Sequence, residues 1–276
     1  MPLLKNKTPI IMSLRKCGIL AGSMALFFIF PKTTTAQTKK KRKGEIYFSW
    51  GYNTEWYTHS TVKINQPDLN NNYHFKNIKG HDHRGWDEGL FSKALTIPQY
   101  NYRLGYFLND KNNLGIEINF DHTKFIFEDG QYADIKGTLN GRSVDSTVLF
   151  NEANGFYYYL NNGANFLLFN IVKRWNWYTD KSKHVKIDAL GKAGIGPVIP
   201  HVQNSFFGNK NDPGFQFGGW NTGVEGAVRS TFFKYAYLEL AGKLDYARYS
   251  GLKIYKGKAR HAFGTAELIM SLGFTF

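Results

Sequence analysis

Leu268-Ile269-Met270-Ser271-Leu272-Gly273-Phe274-Thr275-Phe276 ends the chain. Leu268, Met270, Leu272, Phe274 and Phe276 fall on one face, while Glu267, Ile269, Ser271, Gly273 and Thr275 fall on the other. Period two is the signature of a β-strand whose faces meet different surroundings. Here one face is continuously large and apolar, and the other is mostly small or polar.

The same alternation recurs upstream. It predicts eight strands at roughly 45–57, 95–108, 114–126, 163–176, 184–196, 217–230, 235–248 and 264–276. Short turns separate some of them, at Asn109–Asn113, Tyr178–Lys183 and Thr231–Lys234. Long connections separate the rest, at 58–94, 127–162, 197–216 and 249–263. Long and short alternate strictly, beginning with long. That order predicts an all-β, antiparallel, up-and-down transmembrane β-barrel of eight strands with short turns at one rim and long extracellular loops at the other.

The faces make physical sense of that prediction. Leu114, Ile116, Ile118 and Phe120 face lipid in the third strand, leaving Glu117 and Asp121 inside. The seventh strand puts Leu238, Leu240, Leu244 and Tyr246 outside, with Glu239, Lys243 and Asp245 inside. Repeating this around the barrel gives a lumen holding Arg103, Arg174, Lys186, Lys192, Arg229 and Lys243 against Glu117, Asp121, Asp188, Glu225, Glu239, Asp245 and Glu267. Six basic and seven acidic groups suit a paired network. Eight strands enclose an interior only wide enough for side chains to fill, so the expectation is a plugged polar lumen.

Residues 1–36 read as a secretory signal: Lys5, Lys7, Arg15 and Lys16, then the apolar run Cys17–Phe30, then Thr34-Thr35-Ala36 before Gln37. Fourteen apolar residues fall short of the roughly 20 needed for a spanning helix. The only cysteine is Cys17, so the mature chain is expected to carry no disulfide. Residues 37–44 form a basic periplasmic leader, and 45–276 the barrel.

The formal charge of +14 is misleading. Five basic residues lie in the signal (Lys5, Lys7, Arg15, Lys16, Lys32) and five in the run Lys39–Lys43. The body keeps 25 against 21 acidic residues. Nucleic-acid binding is therefore excluded as a reading despite the pI of about 9.6. A mean hydropathy of −0.40 is too polar for a helical membrane protein, while 17% aromatics suits a barrel with interfacial girdles.

Signal, topology, alternation and the terminal aromatic together resemble the small eight-stranded outer-membrane proteins of the OmpA/OmpX/OmpW-like class, of the Bacteroidetes type. The resemblance implies bacterial outer-membrane localisation with both termini periplasmic after signal cleavage. It also implies partners: outer-membrane lipid and lipopolysaccharide, and barrel-insertion machinery that reads Phe274 and Phe276 on the last strand. It carries no catalytic motif and implies no cofactor.

Three groups of residues could carry chemistry. His81 and His83 share a face in Gly80–Gly89, and with Asp87 they could bind Zn²⁺ or a similar metal; the alternative is a solvated polar loop. His201 and His261 lie near the expected outer rim with Ser205 and Ser250 in adjoining loops, the residue types for lipid hydrolysis or acyl transfer. The compact histidine–serine–asparagine run of lipid A deacylase barrels is absent, and Asp121-His122-Thr123 would turn His122 toward lipid. Trp56, Tyr57, Trp86, Phe206, Phe207 and Trp220 could stack on sugars or form the outer girdle.

The leading functional expectation is a non-enzymatic barrel acting in surface interaction or envelope integrity, alone or as a subunit of a larger assembly with an extracellular or envelope protein partner. The alternative is a lipid A-modifying enzyme, and the third reading is a narrow conduit for small hydrophobic molecules. Fold alone does not choose among them.

Overall fold

The structure is a computed structural model that describes residues 44–86, 98–108 and 113–276. The signal and nearly all of the basic leader lie outside the described residues, as do Asp87 and most of the first short turn.

Eight strands close into a ring: β1 (Glu45–Tyr57), β2 (Tyr100–Phe107), β3 (Leu114–Asp121), β4 (Phe166–Thr179), β5 (Val185–Pro197), β6 (Gly219–Phe232), β7 (Ala236–Ile254) and β8 (Gly257–Thr275). Each pairs antiparallel with its sequence neighbour, and β1 pairs with β8 from Tyr47↔Thr275 to Tyr57↔Thr265. The closing strand is the stretch whose alternation is clearest in the sequence. Its outer residues Leu268, Met270, Leu272 and Phe274 are exposed, and its inner residues Glu267, Ile269 and Ser271 are buried. Closure leaves no unpaired edge in the ring.

All eight expected strands are present, but β7 and β8 are longer than their sequence pattern indicated. Each has 19 residues, and the connection expected at 249–263 is the upper end of their hairpin. Alternation continues there, with Tyr249, Leu252, Ile254, Ala259 and Phe263 turned inward and buried. The upper parts of these strands stand above the apolar band and belong to a second structure.

That second structure is a cap built from the long connections. Ser60–Gln66, Asn71–Ile78, Gln131–Leu139 and Arg142–Phe150 extend the barrel wall as further strands. They join β8 through Lys63↔Arg260, Ile64↔Ala259 and Asn65↔Lys258. Five short strands (Gly80–His81, Phe125–Phe127, Tyr157–Leu160, Gln203–Phe206 and Asn209–Asn211) make a separate sheet.

The two sheets share one apolar core, in which Phe75 stacks on Phe206 at 5.9 Å and Phe127 tilts against Tyr158 at 4.8 Å. Connections that read as loops are therefore a folded β-sandwich. The sequence shows their alternation only in short pieces, and pairing between distant pieces is what makes them strands.

Inside the ring, aromatic rings are accommodated by glycines on the neighbouring strand. Gly105 is the register partner of Tyr47 and Gly273 that of Tyr237; a Cβ at either glycine would collide with the facing ring. Tyr47, Phe107, Val172, Leu190, Ala227 and Tyr237 form an apolar floor at the short-turn end.

Candidate functional site: the lumen and its cap

Above that floor the lumen is crossed by ion pairs. Counting round the ring, β3 and β7 lie four steps apart, on opposite walls, yet Asp121 and Lys243 meet at 2.6 Å. Arg103 on β2 likewise reaches Glu225 on β6 at 3.3 Å and Asp121 at 2.6 Å. Lys192 on β5 contacts Glu117 at 3.0 Å, Glu225 at 2.8 Å and Glu239 at 2.9 Å. Arg229 bonds Glu239 at 2.6 Å, its guanidinium 4.3 Å from the Tyr47 ring and 4.0 Å from the Tyr237 ring. Glu117 also accepts from the Tyr47 hydroxyl at 2.9 Å and from the Asn170 amide at 3.1 Å. These contacts bring groups of opposite walls together across the lumen.

Lys243 also reaches Asp245 at 2.8 Å and Glu267 at 3.6 Å. The remaining lumen residues sit lower and are partly exposed at the mouth: Arg174 pairs with Glu45 at 2.7 Å, and Lys186 with buried Asp188 at 2.6 Å. The expected near-balance of charge does not hold in the enclosed volume. Glu55 joins the acids there, so Arg103, Lys192, Arg229 and Lys243 face Glu55, Glu117, Asp121, Glu225, Glu239, Asp245 and Glu267, four cations against seven acidic groups. The excess lies at the top, where Glu55 is the register partner of Glu267. Glu55 is legible in the sequence by parity, since Tyr47, Ser49, Asn53 and Glu55 all share a face.

Residues of the cap reach down to the upper end of the lumen. Asp82 drops into the mouth, accepting from the Thr54 hydroxyl at 2.9 Å and the Glu55 amide at 3.0 Å. Trp86 donates to the Asn53 carbonyl at 3.1 Å. Tyr57 donates to the Lys124 carbonyl at 2.7 Å and bonds Glu55.

The candidate hydrolase residues do not converge. Ser205 is buried and donates to the Gly155 carbonyl at 2.9 Å, whereas Ser250 is exposed on the outer face of the wall. His201 lies against Asp212 at 2.7 Å, whose carboxyl is held low by Gln203 and by His201 itself. His261 meets a different serine. Its Nδ1 is 3.2 Å from the Ser60 hydroxyl and its Nε2 3.0 Å from the Tyr158 hydroxyl. Sequence reasoning could not find Ser60, because it lies 201 positions away on a strand formed only within the cap.

Ser60–His261–Tyr158 is enclosed by Phe125, Tyr249 and Phe263. Burial pushes the His261 imidazole down to about 3, and the ring bridges two hydroxyls as a core hydrogen-bonding group.

The two described metal candidates each have a hydrogen-bond partner of their own. His81 is exposed with Nδ1 2.8 Å from the Asp82 carbonyl, and His83 is 3.2 Å from the Asn161 side chain. Asp87 lies outside the described residues. Among the described residues no three His, Cys, Asp or Glu side chains gather as a metal site. His122 does not face lipid: it is buried, stacked on Tyr100 at 4.6 Å and with Nδ1 2.8 Å from the Asn165 side-chain Oδ1. Of the candidate stacking aromatics, Tyr57 and Phe206 pack within the cap, while Trp56 and Trp220 are exposed near the upper rim.

No family model and no curated protein matches the chain. Several solved structures are similar at 10–12% identity. Ail, the attachment invasion locus protein of Yersinia pestis, solved with the heparin analogue sucrose octasulfate, aligns over 85% of this chain and 100% of its own at a TM-score of 0.33. Neisserial surface protein A aligns over 84% and 97% at 0.33. The outer-membrane protein OprG of Pseudomonas aeruginosa aligns over 84% and 96% at 0.39. The eight-stranded barrel of this chain rests on its own closed register.

Proposed function

We infer that this protein is an integral outer-membrane barrel whose lumen is closed and whose folded cap projects outward as a rigid platform for surface interaction. The observation that carries this reading is the pairing of opposite walls, Asp121 with Lys243 and Arg103 with Glu225, beneath the folded cap. Membrane insertion is supported by the outer band of Phe48, Leu104, Ile118, Ile171, Leu240 and Met270, all exposed. Aromatic side chains bracket that band: Trp175, Trp177 and Tyr235 near the short turns, and Trp56, Trp220 and Tyr246 near the cap. Phe274 sits within the band, and Phe276 lies beside the first strand, its amide donating to Ile46. That position suits both as part of an insertion signal.

Planar-bilayer recording of the purified protein, checked for heat-dependent gel mobility, tests the reading. The expected result is a folded, inserted protein without steady conductance. Steady conductance that persists when Arg103 or Lys243 is neutralised would overturn the closed lumen.

A further inference from the structure

The outer wall of the cap is basic. Across four adjacent strands, register pairs Arg260 with Lys63, Lys63 with His74 and His74 with Lys136. Lys258 and Lys76 flank this row. Like charges placed directly opposite on one face of a sheet destabilise it. Among the described residues, Lys136 at the far end is the one member of the row with an ion-pair partner on this face, Asp145 at 2.7 Å. Lys63, Lys258 and Arg260 are exposed, and among the described residues no carboxylate lies within ion-pairing distance of them. The His74 imidazole is held below its usual value by partial burial and then by Lys76, Lys63 and Lys136, so the local field is positive.

Lys63, His74, Lys76, Lys258 and Arg260 line an open groove of about 780 Å³. Its polar walls add Asn65, Asn72 and Ser250. Register shifts between Ser60 and Val62 and between Tyr249 and Leu252 bend two of its strands. The groove is thus a concave surface on which exposed cations and amide donors converge, with Lys76 at its edge standing opposite Asp134.

Its height identifies the ligand. On β8 every second residue from Phe276 upward faces out: Leu272, Leu268 and Gly264, then Arg260 and Lys258. Gly264 is the register partner of Tyr246, at the top of the apolar band, and Arg248, also exposed, stands one step higher. Arg260 is four residues beyond Gly264, about 13 Å along the strand at ~3.3 Å per residue. The groove therefore opens sideways, just above the lipid-facing band, at the depth of the polar headgroups and the sugars they carry.

We propose that this groove binds the phosphorylated saccharide headgroup of a glycolipid in the surrounding outer leaflet, with Arg260, Lys63 and Lys258 on phosphate and Asn65, Asn72 and Ser250 on sugar hydroxyls. The proposal rests on membrane insertion as inferred above. Bound anions relieve the like-charge row, and the ligand anchors the cap to the membrane surface.

The test uses full-length protein in nanodiscs containing lipopolysaccharide, with phosphates intact or enzymatically removed, followed by detergent extraction and native mass spectrometry of retained glycolipid. Wild type should retain the phosphorylated form and lose at least tenfold when phosphate is absent. Lys63→Glu with Arg260→Glu should lose retention to the same degree, and Lys63→Gln with Arg260→Gln should lose it partly. Lys210→Glu, elsewhere on the cap, should match wild type.

Heat-dependent gel mobility of every variant establishes that the barrel is folded, and the glutamine pair serves if the glutamate pair does not fold. Equal retention by wild type and the glutamine pair would overturn the proposal. So would groove-dependent binding of a soluble phosphorylated saccharide without retention of the membrane glycolipid. Failure of wild type to insert into nanodiscs would instead strike the membrane reading itself.

Discussion

Asp121 and Lys243 stand on opposite walls of an eight-stranded barrel, and their side chains meet at 2.6 Å. Each also pairs with a residue on an adjacent strand, Asp121 with Arg103 and Lys243 with Glu267, but their own contact crosses the whole barrel. The pair exists because an eight-stranded ring is narrow enough for two long side chains to span it. Arg103 extends the link from Asp121 to Glu225, so a single connected network ties β2, β3, β6 and β7 across the interior.

Lys243→Ala should be strongly destabilising. It removes the cation shared by Asp121, Asp245 and Glu267 and leaves buried carboxylates uncompensated. A loss of about 3–5 kcal/mol is expected. Urea unfolding in lipid vesicles, followed by the heat-dependent gel shift, measures it; a loss under 1 kcal/mol would mean the network contributes little.

Two glutamates of the network, Glu117 and Glu267, should respond differently to neutralisation. Glu117→Gln weakens contacts with Lys192 and Arg103 and should lower the unfolding midpoint. Glu267→Gln removes one of two like charges that face each other across β1 and β8. It should leave the midpoint unchanged or raise it, by up to about 1 kcal/mol. Matching losses in the two variants would show that the acidic excess at the top of the lumen is fully compensated.

Gly273→Val should drive the Tyr237 ring off its position beside Arg229. Overpacking of this kind costs about 1–3 kcal/mol. Tyr237→Ala in the same chain should recover part of the loss, because the added side chain then meets open space. A double-mutant cycle on unfolding midpoints reads the coupling, and strict additivity would rule out the ring–glycine contact as its cause.

The cap should loosen in acid before the barrel does. His261 is neutral when folded, because burial pushes it down to about 3, against 6.5 for an exposed imidazole. Between those values the unfolded segment takes up a proton that the folded one refuses. Stability is therefore full above about pH 6.5 and falls as pH drops toward 3, by about 1.4 kcal/mol per pH unit. His122, just past the end of β3, is pushed down to about 4 by burial and acts in the same direction. Hydrogen exchange at pH 7 and pH 4.5 should show residues 60–66 and 257–263 exchanging faster in acid, with 266–275 unchanged. In His261→Leu the exchange of 60–66 should depend less on pH, from a lower starting protection. Unaltered protection of the wild-type cap at pH 4.5 would contradict the assignment.

Alternation alone determined the eight barrel strands, their order and the facing of their side chains. Every strand of the ring has one face against an apolar surround and one against a charged interior, so the requirement is written at period two in each segment independently. Glu117, Asp121, Lys192, Glu225, Arg229, Glu239, Lys243 and Glu267 could be assigned inward without knowing any partner.

Only the tertiary structure decided who pairs with whom across the lumen, because ring closure brings together positions more than a hundred residues apart, as with Asp121 and Lys243. It also decided the cap. Ser60, Tyr158 and His261 come from three separate segments, and each gains a hydrogen-bonding partner only when those segments pack together. The basic row from Arg260 to Lys136 has the same origin. Its residues are scattered through a chain body of nearly balanced charge, and strand pairing, set by long-range hydrogen bonds, lines them up on one face.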